Sequence, residues 1–169
     1  MPDTSFEPGT TVNPAKDSPK RNGTAHSTSV KPGLLVVPST GTYKNGYEVM
    51  SAAYGDSNTG EGFPYQVEIP AIHPQSTTAH DKTTAYAAGD TLSVIKHRIG
   101  SSYWLKGSSL TVTKGDKVIA AANGLVAKQT AHTASALPHH TWIANDTYSA
   151  KTWIKGTYIG ITSMYTANT

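Results

Sequence analysis

Cysteine is absent from the 169 residues, which removes disulfides, thiolate nucleophiles and Cys-type metal sites together. Stability must then come from packing or assembly. Phenylalanine occurs only twice, and charged side chains make up 15 % of the chain. No apolar run approaches the roughly 18 residues of a membrane-spanning helix, so no membrane partner is expected. Nor does an apolar i, i+3, i+4, i+7 pattern persist for three clean turns with caps. The nearest helix candidate, Gln129 to Leu137, is weakened by its threonines and its shortage of large apolar side chains. The opening run MPDTSFEPGTT has neither the basic nor the apolar region of a secretory signal, so a soluble product made without export is expected. Asn-x-Thr sequons at Asn22 and Asn145 then read as chance. The net charge is only +3, with Lys and Arg scattered instead of gathered into a stripe, which argues against a nucleic-acid partner.

What the chain does contain is turn-forming: 15 Gly and 10 Pro among abundant Ser and Thr depress helix propensity and punctuate short strands. An all-β fold follows, and the length suits one domain with a tail. Residues 1–29 hold Pro2, Pro8, Pro14 and Pro19 and few large apolar side chains beyond Phe6 and Val12. Such a segment cannot bury enough surface to offset its own ordering entropy. It reads as an extended arm, either a flexible tail or a strap over a partner, with Phe6 and Val12 as anchors and Lys16, Lys20 and Arg21 as its basic contacts. Residues 30–169 read as a single β domain.

Turn chemistry places several strands. In VTKGDKVIAAANGLVAK, Asn123-Gly124 supplies the two positive-φ positions of a type I′ hairpin, pairing Val118 to Ala122 with Leu125 to Lys128. Gly115-Asp116 marks the turn before it, glycine tolerating φ > 0 while the carboxylate bonds nearby N–H groups. An echo of that turn, Gly89-Asp90 in YAAGDTLSVI, suggests equivalent turns ahead of two strands. Leu34 to Val37 reads as a strand, and Tyr65, Val67 and Ile69 share one strand face. A barrel or sandwich is the expected architecture.

Chemistry-bearing constellations are thin. The seven histidines (His26, His73, His80, His97, His132, His139, His140) include no H-x-x-x-H pair, and each reads as a surface or loop residue. His139 and His140 would point to opposite faces of a strand. No G-x-S-x-G elbow accompanies the serines, and sequence cannot show two of the eleven acidic residues facing one groove. The loop Asp56 to Gly62 resembles part of a calcium loop but lacks its remaining acidic positions, so a solvated turn is favoured. No cofactor, metal or catalytic residue is expected. Nine Tyr and three Trp against two Phe suit half-wet surfaces, and Tyr103, Trp104 and Trp153 are the candidate interface aromatics.

The segments KPGLLV, AYAAGDTLSVIKHRIGSSYWL and VTKGDKVIAAANGLVAK, in that order from Val30 onward, resemble the head decoration, or cement, proteins of tailed bacteriophages. Gly89, Asp90, Gly115, Asp116, Asn123 and Gly124 carry the turn motifs of that likeness. The resemblance implies a β-tulip or barrel-like fold with an extended N-terminal arm and a homotrimer. It also implies the major capsid protein as partner and a place on the exterior of a virion assembled in the host cytoplasm. The longer Pro/Thr-rich N-terminus and the Thr/Ala/His-rich stretch from Gln129 to His140 depart from the family's pattern. Two rival classes stand beside this one: a carbohydrate-binding or adhesin-like β-sandwich using Trp and Tyr platforms, and a small hydrolase on a β-scaffold.

Overall fold

The structure, a computed structural model, describes residues 19–39, 41–50, 64–68, 83–130 and 139–162. The chain is all-β, and its described strands close into two five-stranded barrels. In the first, β1 (Lys20–Ala25), β2 (Leu35–Pro38), β3 (Gly46–Val49), β4 (Tyr65–Val67) and β5 (Thr91–Lys96) are ordered β1-β3-β2-β4-β5. In the second, β6 (Ser102–Val112), β7 (Lys117–Ala120), β8 (Val126–Lys128), β9 (His139–Ala144) and β10 (Tyr148–Thr162) are ordered β10-β6-β8-β7-β9. The 15-residue β10 reaches both neighbours, shifting register near Lys151 against β6 and at Gly160 against β9. Ser109 and Ala150, both at positive φ, flank the first shift, as expected where a long ribbon must bend to close a small barrel.

The period-2 alternation of strands explains how the barrels join. In β2, Val36 packs inside the first barrel, whereas its neighbours Leu35 and Val37 point the other way into a core shared with Tyr103, Leu105, Trp142, Ile154 and Tyr158 of the second. β5 divides likewise, with Val94 inside and Ile95 in the shared core. A strand buried on both faces reads as the unbroken apolar run seen at LLVV. The β domain expected over 30–169 thus holds two barrels around a continuous core, and it draws on residues before 30.

That last point corrects the expected arm. Lys20–Ala25 is a strand, paired antiparallel with β5 from Lys20 to Thr24 and parallel with β3 at Thr24 and Ala25. Ala25 and Val30 are fully buried. Their small polar surroundings hid this, because the apolar partners are supplied by strands distant in sequence. Residues 1–18, with Phe6, Val12 and Lys16, lie outside the described residues, as do the calcium-loop candidate and most of the helix candidate.

The two Gly-Asp turns are equivalent in detail. Asp90 N–H donates to Ala87 O (3.1 Å) and its carboxylate accepts from Ala87 N–H (2.9 Å); Asp116 and Thr113 repeat both bonds at 2.9 and 2.8 Å. Gly89 and Gly115 sit at φ 93° and 94°. Each turn also clips one alanine of the adjoining strand: Ala25 bonds Gly89 N–H and Asp90 O, and Ala144 bonds Gly115 N–H and Asp116 O, all at 2.9 Å. Alanine at Asp90 or Asp116 should therefore cost about 1 kcal/mol each, read from urea midpoints. A change within experimental error would deny the clasp a structural role.

At the hairpin tip, Asn123 (φ 60°, ψ 30°) and Gly124 (φ 70°) occupy the expected positive-φ positions, and Leu125 N–H closes the turn on Ala122 O at 3.3 Å. The flanking strands are shorter than expected, ending at Ala120 and resuming at Val126. The tip is committed elsewhere: Gly124 N–H donates to Met50 O (3.0 Å), and a Cβ on Gly124 would lie 2.6 Å from Leu35 O. Gly124→Ala combines that clash with a left-handed backbone, so a loss of roughly 2 kcal/mol or more is expected in chemical denaturation.

Candidate functional site

The most elaborate side-chain arrangement bridges the two barrels. His97, just past β5, is fully buried and stacks on Tyr103 at 3.7 Å with the rings 8° from parallel. Trp142 of β9 meets it edge-on and donates its indole N–H to His97 Nδ1 at 3.1 Å. Indole N–H can only donate, so Nδ1 is the acceptor and the ring proton sits on Nε2. His97 Nε2–H then donates to Gln66 Oε1 (3.1 Å), and the Gln66 amide donates to Gly33 O (2.9 Å) and Trp104 O (2.8 Å). Gln66 occupies this place because β4 aims Tyr65 and Val67 into the first barrel and Gln66 outward, between the two. Beside it, His140 Nδ1 and the Tyr158 hydroxyl lie 2.7 Å apart.

Burial, with a smaller contribution from His140, lowers the His97 pKa to about 3; burial and then His139 lower that of His140 to about 4. Both rings are neutral at physiological pH. Closed off from solvent and bonded throughout, His97 and Gln66 act as a bolt between barrels. The surface or loop placement expected for the histidines is thereby corrected for His97, His139 and His140, all buried. The sequence hid this for His97 because its ring partners Gln66, Tyr103, Trp142 and Tyr158 come from four separate strands. Among the described residues no group of three or more His, Asp or Glu could hold a metal ion.

The net charge of the chain is +3. Among the described residues, three carboxylates are engaged. Glu68 pairs with Lys20 at 2.5 Å, Asp116 pairs with Lys128, and Asp90 is bonded within its turn. At Asp116 burial pushes the carboxyl pKa upward, and the Lys128 contact with the Thr113 N–H bond outweighs it, leaving it below the usual range.

Of the residues singled out as contacts, Lys20 and Arg21 lie on β1, with Arg21 5.7 Å over the Tyr65 ring. Tyr103 and Trp153 are buried within the chain, so they are corrected from interface aromatics to core; Trp104 is half-buried. Trp153 lies where a Cβ on Gly33 would meet its ring at 2.2 Å, with Lys106 Nζ 5.6 Å from the ring centre. Open grooves also lie among the described residues. One, of about 580 Å³, lies between the barrels with Lys31, Leu34, Lys106 and Leu125 in its walls. Another, of about 520 Å³, lies against β1 and holds Arg21 and Tyr47. Sequence reasoning marked Arg21 but not Tyr47, whose only local signal was the Asn45-Gly46 turn before it. No protein-family model matches the chain, and no curated protein matches it.

Proposed function

We propose that the chain is a structural virion protein that binds the outer surface of an icosahedral capsid and stabilises it, assembling as a trimer against the major capsid protein. The observation that carries this reading is the pair of fused barrels whose buried polar groups His97, Gln66 and Trp142 are spent on holding the barrels together. A body of that kind suits adhesion to a neighbouring surface more than turnover of a small molecule. Its Gly-Asp turns and the 112–128 hairpin are the segments that resemble decoration proteins.

Many weak contacts on one lattice add avidity without any strong one. Added to purified shells, the protein should co-sediment saturably, and less so as salt is raised. Shells that pellet without it at low salt would overturn the proposal. The arm is tested by truncation, with the boundary moved to match the fold. Removing residues 1–18 should leave the β spectrum and thermal midpoint intact while lowering shell occupancy. Removing 1–29 deletes β1, opens the first barrel and should abolish cooperative unfolding.

A further inference from the structure

Strand β1 is held along its length by β5 but meets β3 only at Thr24↔Gly46 and Ala25↔Tyr47. Before Thr24 the seam between β1 and β3 therefore opens, and the β1 groove lies there, walled by Arg21, Asn22, Ser39, Asn45 and Tyr47. Thr24 N–H crosses the seam to Asn45 O (3.0 Å) and His26 N–H crosses to Tyr47 O (2.9 Å). Backbone N–H groups alternate sides along a strand, so the Asn22 N–H points the same way, into the groove.

The cation in this groove is oriented by aromatic groups. Arg21 shares the groove with Tyr47 and lies over Tyr65, and the two tyrosine rings meet edge to face at 5.4 Å. Gly23 makes the arrangement possible, since a Cβ there would lie 2.4 Å from the Tyr47 ring. None of the described residues walling the groove is Asp or Glu. A guanidinium fork, a strand N–H, two carboxamides and a hydroxyl thus line one groove, with no carboxylate among its described walls.

We propose that this groove is a carboxylate-binding site, with Arg21 gripping the two oxygens and the Asn22 N–H and Asn45 amide completing the donor set. The carboxylate comes either from a small free acid or from an Asp or Glu side chain of the bound partner; the second source rests on the shell-binding reading above.

The test is an NMR titration of the full chain at constant ionic strength with acetate, and in parallel with the capped peptide acetyl-Ala-Glu-Ala-amide. Saturable shifts confined to the Arg21 Nε–H, the Asn22 N–H and the Asn45 amide are expected. Arg21→Lys keeps the charge but loses the fork and should weaken binding about fivefold or more. Asn45→Gly preserves the positive-φ turn while deleting the amide, and should weaken it with the fold intact. Peptide binding tighter than acetate assigns the site to a partner side chain; acetate as tight or tighter assigns it to a small acid. Shifts that fail to saturate, or binding unchanged by both substitutions, would overturn the proposal. Shell co-sedimentation is measured separately, so a groove that ignores carboxylates while shells still bind fails alone, and the converse removes only the shell reading.

Discussion

Gln66→Leu is expected to cost about 3 to 5 kcal/mol, among the largest single effects in the described fold. Leucine nearly matches the volume, so the loss is polar: the His97 Nε2–H loses its acceptor, and the carbonyls of Gly33 and Trp104 lose a donor. Each buried group left without a partner costs about 1 to 3 kcal/mol, whereas an intact bond contributes only about 1 net. Against a total stability of about 5 to 15 kcal/mol for a typical protein, such a change brings the folded state near its limit. His97→Phe attacks the same network from the other side, leaving the Trp142 indole N–H and Gln66 Oε1 facing an apolar ring. Urea unfolding of both variants at pH 7 reads the effect. Losses under 1 kcal/mol in both would show that the two barrels do not depend on this connection.

Acid should dismantle the same junction. Unfolded, both imidazoles titrate near pH 6.5; in the fold His97 is held down to about 3 and His140 to about 4. The unfolded chain therefore takes up protons first as pH falls, so the contribution is fully present above about pH 7 and drains away from 6.5 down through about 4 for His140 and about 3 for His97. Together the two rings account for a loss on the order of 5 kcal/mol at pH 4. The side chains packed against them in the junction are Tyr103, Trp142, Tyr158 and Gln66, none charged near neutrality, with His139 nearby. Burial keeps Tyr158 protonated far into alkaline pH. Asp116, its carboxyl pKa lowered, adds its own loss in more acid solution as its pairing with Lys128 is protonated away. Urea midpoints measured from pH 7.5 to 4 should fall steeply below 6.5, and the slope should lessen in His140→Gln. A flat profile to pH 4.5 would mean the rings are solvated.

How much of this could be read from the sequence depends on how local the signal is. Turn chemistry acts within four residues, so the positive-φ Asn123-Gly124 and the repeated Gly-Asp turns were legible, and the all-β class with them. The number of barrels was not, because closure is set by pairings such as β1 with β5, about seventy residues apart. β1 itself was invisible: KRNGTA carries one core side chain, Ala25, and its alternation is masked by Gly23, placed to admit a distant tyrosine ring. Buried polar residues defeat pattern reading for the same reason. Nothing near Gln66 or His97 announces a partner, since the groups that satisfy them come from Gly33, Trp104 and Trp142. Aromatic composition misled in the opposite direction, Tyr103 and Trp153, two of the three aromatics singled out for a partner, being consumed by the core.

Imaging of particles purified with and without this chain is the most direct trial of the shell-binding role. Extra density of three-fold character at regular lattice positions, present only with the chain and sized for two small barrels, is the expected result. Particles identical in both preparations, with the protein left as a free monomer in the supernatant, would contradict it.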